Sequence, residues 1–257
     1  MTREKMFSLE GKIAVVTGGA RGIGKVVAGH LAMMGADVAI VDVLEREMNE
    51  TAELIAKEHG VNARAYRCDV TNADEVGAVI EKIAGDFGGL DVLFNNAGIC
   101  QHKDALEVTP EEWRKMFEVN VHGVFFVARA FAKKLIELKR GGSIINMASM
   151  SASIVNYPQT QASYNASKAA VAHMTKSLAV EWADFGIRVN SLSPGYIVTE
   201  MTGMAKKEYI EKWLELSPFK RMGRPEELSG AVIYFASGCA SFTSGCDMIV
   251  DGCFTCV

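Results

Sequence analysis

Long apolar runs are missing from this chain. The longest, such as Ile13–Val16 and Val38–Val41, fall well short of the ~20 residues that a spanning helix needs. No membrane segment is expected. Excess positive charge is missing too: 27 Lys and Arg stand against 31 Asp and Glu, for a net charge of −4. A nucleic-acid surface would require a basic patch, so no nucleic-acid partner is expected. Proline is scarce, at five in 257 residues, and no Pro/Ser-rich linker, low-complexity stretch or internal repeat divides the chain. The simplest expectation is one domain over residues 1–257. The N-terminal Met1-Thr-Arg-Glu-Lys-Met6 is charged, and no apolar region of signal-peptide length follows it. A cytoplasmic protein is expected.

Cysteine is sparse as well. Six occur: Cys68, Cys100, Cys239, Cys246, Cys253 and Cys256. Cys253-x-x-Cys256 has the spacing of half a zinc or redox site, but a second ligand pair is not evident. Free thiols in a reducing compartment are the expectation. No cluster of Cys, His, Asp or Glu calls for a metal ion.

What the chain does have is alternation. Short apolar runs (Lys12–Thr17, Asp37–Val43, Asn62–Asp69, Leu90–Asn95, Ser143–Ala148, Arg188–Ser193, Asp247–Val250) alternate with stretches of helical pattern (Gly22–Met34, Leu44–His59, Asn72–Phe87, Pro110–Lys139, Ser163–Phe185 and one near Pro225–Ser237). Strands that are apolar throughout are buried on both faces, as in parallel sheets. Strand–helix alternation implies right-handed crossovers. The predicted fold is α/β: a doubly wound, mostly parallel sheet of about seven strands with helices on both faces.

Gly18-Gly-Ala-Arg21-Gly22-Ile23-Gly24 follows the first run and opens the first helix. Glycines there permit a tight turn and let a pyrophosphate approach backbone N–H groups at a helix N-terminus. A tight turn with close helix packing would use the same residues. Asp42 ends the second run, 18 residues after Gly24, where an acid can accept hydrogen bonds from an adenosine ribose. An N-cap role would suit it equally. A 2′-phosphate beside Asp42 would be repelled by about 4 kcal/mol per unit charge at ~4 Å and an effective dielectric of about 20. A third of that is roughly a tenfold preference for NAD over NADP. Arg21 opposes this, because its guanidinium could pair with the phosphate. Asp69 and Val70 close the third run, where they could meet the adenine or simply form a turn.

Tyr164 and Lys168 lie four residues apart in a helical stretch, so they share one face. Ser149 follows the run Ser143–Ala148, at the carboxyl end where ligands collect in open α/β sheets. A hydroxyl, a phenol and an ammonium can thus meet over one crevice. Oxidising an alcohol needs a base for its proton, and a phenol of pKa about 10 serves only if a nearby positive charge favours the phenolate. Taken singly, Tyr-x-x-x-Lys also fits a surface helix, and Ser149 a turn.

Together, Thr17-Gly-Gly-Ala-Arg-Gly-Ile-Gly24, Asn95-Asn-Ala-Gly98, Asn120, Ser149, Tyr164-x-x-x-Lys168 and Pro194-Gly195 resemble the short-chain dehydrogenase/reductase family, in its order and over nearly the whole chain. The resemblance implies that Tyr164 is the general acid/base and that Lys168 lowers its pKa and binds the nicotinamide ribose. It implies that Ser149 orients the substrate and that Asn120 holds a water in a relay to Lys168. Asn96, Ala97 and Gly98 would line the adenosine ribose side, and Pro194, Gly195, Ile197 and Thr199 the nicotinamide end. A homotetramer is implied. Two departures stand out. Ser149 precedes Tyr164 by 15 residues, slightly more than usual, with Ser151 as the rival; and Asp251-Gly-Cys253 replaces a frequent Asp-Gly-Gly.

The segment Ser149–Gln159, with Trp182 after Glu181, is similar to polyol and ketose dehydrogenases of that family. Asn156 and Gln159 could then bind substrate hydroxyls, or satisfy loop backbone instead. A substrate lid is expected around 198–218, with Met201, Met204, Tyr209 and Trp213 in it. The expected activity is NAD-dependent hydride transfer between nicotinamide and a secondary alcohol or ketone, a sugar alcohol and its ketose in particular. The alternatives are an NADPH-dependent 3-oxoacyl-thioester reductase, a dehydrogenase of hydrophobic alcohols, and a non-catalytic nucleotide-sensing regulator.

Overall fold

The computed structural model describes residues 6–257, so most of the charged N-terminal stretch lies outside the described residues. Seven strands form a single sheet: β1 (Ile13–Thr17), β2 (Asp37–Asp42), β3 (Ala63–Arg67), β4 (Val92–Asn95), β5 (Gly142–Met147), β6 (Ile187–Pro194) and β7 (Asp247–Val250). Their order is β3-β2-β1-β4-β5-β6-β7, and every neighbouring pair is parallel. The chain starts in the middle, winds to one edge, then returns to wind to the other. The reversal falls between β1 and β4, where the diverging connections leave a crevice at the carboxyl ends.

The central strands are β-branched, aliphatic and fully covered, as β1 shows with all five residues buried. One face packs on α1 (Gly22–Met33), α2 (Glu45–His59) and α9 (Glu226–Ala236), around Val27, Leu31, Ile40, Phe94 and Phe235. The other packs on α3 (Ala73–Phe87), α5 (Val124–Glu137) and α6 (Ala162–Glu181), around Ile80, Ile83, Leu93, Phe131 and Leu135. The helix boundaries carry their own signals. Asn72 caps α3 by accepting from the N–H groups of Asp74 and Glu75, and Gly60 ends α2 at φ 68°, a conformation that costs a residue with a Cβ.

Three elements differ from the sequence reading. β3 is not buried on both faces. It forms the sheet edge, and its arginines reach acids on α3: Arg67 bonds Glu75 at 2.9 Å and Arg64 approaches Asp86 at 4.0 Å. The helix expected over Pro110–Lys139 is α4 (Pro110–Phe117), a π-helical turn (Glu118–Gly123) and α5. That wider turn brings Gly123 against Val70, where a Cβ would lie 2.8 Å from the valine methyl, and swings Asn120 inward. The stretch after β6 holds two short helices, α7 (Glu200–Gly203) and α8 (Lys207–Leu216). No helix among the described residues is long and apolar enough to cross a membrane.

Candidate active site

The glycine loop leaves β1 and turns into α1 with Gly18 at φ 63° and Gly22 at φ 56°. A Cβ on Gly24 would collide with the Gly18 carbonyl and with the Asn96 amide, so this position admits only glycine. Asn96 locks the loop by donating to the carbonyls of Thr17 (3.0 Å) and Gly18 (3.1 Å). The N-cap of α1 is Arg21, which makes no side-chain capping bond, and the first turn holds no acid. Unfilled N–H groups, a positive helix end and a cradle that a Cβ would fill suit the pyrophosphate of a dinucleotide. Arg21 is exposed beside this seat, and Ile23 is half-buried.

Asp42 ends β2 and does more than the sequence indicates. Its Oδ2 accepts from the Ala20 N–H at 3.0 Å, tying β2 to the glycine loop. Its Oδ1 accepts from the N–H groups of Val43 (2.8 Å) and Leu44 (3.1 Å) at the start of α2. The carboxylate thus fastens the glycine loop to the β2–α2 connection, but it does not cap α2, whose N-cap is Leu44 with no side-chain capping bond. Asp69 is committed to its own turn, accepting from both the N–H and hydroxyl of Thr71. Val70 is buried against Gly123.

Behind the loop, a buried polar chain crosses the sheet. Thr17 Oγ1 donates to Asn95 Oδ1 (3.3 Å), Asn95 Nδ2 to Asn146 Oδ1 (3.2 Å), and Asn146 Nδ2 to Thr175 Oγ1 (3.0 Å) on α6. Parallel register puts Thr17 opposite Asn95 and Asn95 opposite Asn146. Asn95 also holds α5, donating to the Val124 carbonyl at 2.8 Å.

Tyr164 and Lys168 share the inward face of α6. Lys168 is 3% exposed, and its Nζ donates to the Met147 carbonyl at the end of β5, 2.8 Å away. Burial lowers its pKa to about 8. Burial pushes the Tyr164 phenol above its ordinary value, and the nearby Ser149 hydroxyl opposes that rise. The ammonium lies 5.7 Å from the Tyr164 ring centroid. Ser149 and Ser151 are themselves joined, hydroxyl to hydroxyl, at 3.1 Å. Of the two rival serines, Ser149 is the one whose hydroxyl bears on the phenol's pKa. Asn120 is fully buried; its amide accepts from the Ile99 N–H (2.8 Å) and donates to the Ile99 carbonyl (2.9 Å) and the Ser167 hydroxyl (3.1 Å). Gly98 lies between Asn120 and Lys168: a Cβ there would stand 3.2 Å from Asn120 Oδ1 and 3.5 Å from Lys168 Nζ. Ala97 packs beside it, its N–H donating to Thr17 Oγ1.

After β6, Pro194 leads to Gly195, where a Cβ would strike the backbone and Cβ of Asp251. Ile197 is buried in the core. Thr199 caps α7, its hydroxyl accepting from the Thr202 N–H at 3.3 Å.

Ser149 and Tyr164 open on a cavity of about 310 Å³. Asn156 and Gln159 line it as well, but both donate to the Tyr196 hydroxyl, at 3.2 and 2.9 Å, rather than to loop backbone. The sequence reading missed Tyr196, Gln161, Cys100 and His102 as lining residues. A signal existed for Tyr196, which directly follows the Pro194-Gly195 pair. Burial raises the Cys100 thiol to about 11, which leaves it a neutral, unreactive wall group near pH 7. Burial lowers the His102 pKa, so its imidazole is neutral there too.

Comparison with known proteins agrees with this layout. A family model described as Enoyl-(Acyl carrier protein) reductase matches residues 18–255. The chain is 44% identical to a sorbose reductase of Candida albicans over 254 residues, covering 98% of this chain and 89% of that protein. It is 44% identical to a probable NADP-dependent mannitol dehydrogenase of Yarrowia lipolytica, covering 92% and 85%. A short-chain type dehydrogenase/reductase of known structure from Mycobacterium marinum superimposes with a TM-score of 0.93 at 43% identity, over 98% of each chain. A parallel sheet with its switch point over a glycine cradle, a Ser-Tyr-Lys set on one crevice, and these relatives lead to one conclusion: the chain belongs to the short-chain dehydrogenase/reductase family.

Proposed function

We propose that the protein is an NAD-dependent dehydrogenase that interconverts a sugar alcohol and its ketose. One observation carries this reading: the cavity over Ser149 and Tyr164 sets hydroxyl and amide groups among aromatic rings, Cys100, His102, Met150, Met201 and Met204, and is lined by no Lys, Arg, Asp or Glu. A cation would favour an aldonate or sugar phosphate, and an all-apolar wall a steroid or acyl chain. An uncharged hydrogen-bonding wall suits an uncharged polyhydroxylated molecule, and about 310 Å³ lies at the small end of ligand pockets. The similar proteins named as sorbose reductase and mannitol dehydrogenase support the same substrate class.

A bound nicotinamide dinucleotide supplies the hydride acceptor or donor. Gly18, Arg21, Gly22, Ile23 and Gly24 cradle its pyrophosphate, Asp42 meets the adenosine ribose, and Asp69 and Val70 border the adenine. Asn96, Ala97 and Gly98 back the ribose, and Pro194, Gly195, Ile197 and Thr199 flank the nicotinamide end. Asp42 favours NAD by repelling a 2′-phosphate. The Yarrowia lipolytica relative carries NADP in its name, so the NAD reading rests on Asp42 of this chain and not on its relatives.

In oxidation, Tyr164 Oη takes the hydroxyl proton of the substrate. Ser149 donates to the same substrate oxygen and steadies its developing charge. Lys168 supplies positive charge that favours the phenolate, and binds the nicotinamide ribose. Asn120 seats a water leading to Lys168. Its amide is already paired, so that seat falls to the main chain of the π turn. Asn156 and Gln159 stand on the distal side of the cavity with their amides on Tyr196, and the segment 198–218 is the lid. The exposed side chains of Phe242, Val180 and Ile249 suit subunit contacts of a homotetramer, and six free cysteines suit a cytoplasmic site.

The test is nicotinamide absorbance with purified protein, NAD or NADP, and a panel of C4–C6 polyols and matching ketoses. Turnover with NAD and some polyols is expected. Silence on all polyols, with NADPH-driven reduction of an acetoacetyl thioester, overturns both the substrate and the cofactor reading. Full turnover by Tyr164→Phe overturns the mechanism.

A further inference from the structure

Tyr196 stands beside the reaction centre with an unusual set of neighbours. Its ring stacks on Trp213, centroids 4.1 Å apart and planes 9° apart, and meets Phe254 edge-on at 5.2 Å. Trp213 is 2% exposed, so the ring has little freedom. The hydroxyl is held as firmly. Gln159 Nε2 lies 2.9 Å from it and Asn156 Nδ2 3.2 Å.

The direction of these bonds follows from the indole. Trp213 Nε1 can only donate, and it donates to Gln159 Oε1 at 2.8 Å. The Gln159 amide therefore turns its nitrogen to Tyr196. Asn156 is oriented in the same sense, because its Oδ1 accepts from Gln161 Nε2 at 2.9 Å. Two N–H groups thus occupy the acceptor side of the phenol oxygen. Among the described residues, no acceptor pairs with its proton. Burial raises the Tyr196 pKa, so the proton stays on oxygen throughout the neutral range. Tyr196 lines the cavity that also holds Ser149 and Tyr164.

We propose that Tyr196 is the specificity-determining donor of this enzyme: its O–H, forced outward by Gln159 and Asn156, bonds an oxygen of the substrate away from the reacting carbon. The inference rests on the polyol reading above and deepens it. Asn156 and Gln159 then act chiefly as positioning residues, setting the direction of a proton they do not own. A neutral O–H in an uncharged wall selects a hydroxyl oxygen. A substrate without that oxygen leaves the donor unpaired, which is the stronger part of the discrimination.

The experiment compares the best polyol with a secondary alcohol of equal chain length that lacks the other hydroxyls, using kcat/KM for each. In Tyr196→Phe the ring stack remains and the proton is gone. The ratio of polyol to simple alcohol is expected to fall roughly 30-fold, mainly through KM. Gln159→Glu keeps the phenol but offers a carboxylate that accepts from both Trp213 and Tyr196, turning the proton away from the cavity. The same fall in ratio is expected, and this variant decides the matter if Tyr196→Phe fails to fold. An unchanged ratio in a folded variant of either kind overturns the proposal while the polyol reading stands. Silence of the unaltered enzyme on every polyol overturns both.

Discussion

Lys168 Nζ lies 2.8 Å from the carbonyl oxygen of Met147. This bond joins the helix that carries the phenol to the end of the strand that precedes Ser149. It is the only protein acceptor of the ammonium among the described residues, and the charge is otherwise buried. Burial of that kind favours the neutral amine, which is why the pKa falls to about 8. The fold thus holds Lys168 as a strained charge, 5.7 Å from the Tyr164 ring centroid.

That strain has a measurable cost. Lys168 titrates near its ordinary value of about 10.4 in the unfolded chain and near 8 in the fold. The penalty, about 3 kcal/mol, is fully present below pH 8 and fades as pH rises toward 10.5, because the unfolded state holds the extra proton in that window. Lys168→Met should therefore be inactive yet more stable at pH 7, by about 2 kcal/mol after the lost bond to Met147 is counted. Denaturant unfolding of both proteins at pH 7 and pH 10 checks this: the gap should narrow at the higher pH.

Asp42→Asn removes the negative charge that opposes a 2′-phosphate and keeps one oxygen for the backbone. The ratio of kcat/KM with NAD to that with NADP should drop about tenfold. Unfolding should show a loss of about 1 kcal/mol, since the carboxylate accepts from the N–H groups of Ala20, Val43 and Leu44. A drop in stability with no change in the ratio would leave Asp42 a loop fastener alone.

Gly24→Ala puts a methyl group into the Gly18 carbonyl and the Asn96 amide. Such overpacking costs about 1–3 kcal/mol, and the loop that must yield is the one meant for the pyrophosphate. NADH fluorescence titration should show binding weakened or abolished, while far-UV circular dichroism stays that of the parent.

Asn95→Ala cuts three buried bonds at once, to Thr17, Val124 and Asn146. A loss of roughly 2–4 kcal/mol is expected. The ends of β1, β4 and β5 are then no longer tied to one another, so kcat should fall as well. Equilibrium unfolding and steady-state rates read the two effects separately.

Much of this protein is local in sequence. A strand buried on both faces must be apolar throughout, so the sheet and its winding are visible as seven runs. Tyr164 and Lys168 share a face because four residues make about one helical turn, and Gly18, Gly22 and Gly24 are spaced for one turn of backbone. What failed to show is equally physical. Arg64 and Arg67 mark β3 as partly exposed, but its place at the edge depends on how the whole sheet winds, which no single strand records. The π turn at Glu118–Gly123 is invisible in its own segment, and the contact that Gly123 makes there is with Val70, some 50 residues earlier.

The sequence by itself determined the fold class, the glycine cradle and the Ser149, Tyr164 and Lys168 set, because each depends on spacing within one element or at its end. Only the tertiary structure decided which groups Asp42 holds, and that Gln159 and Asn156 spend their amides on Tyr196. Those contacts join residues from 20 to 213 along the chain. Hydrogen-bond direction is set by the partner at the other end, and no periodicity in one segment records a partner in another.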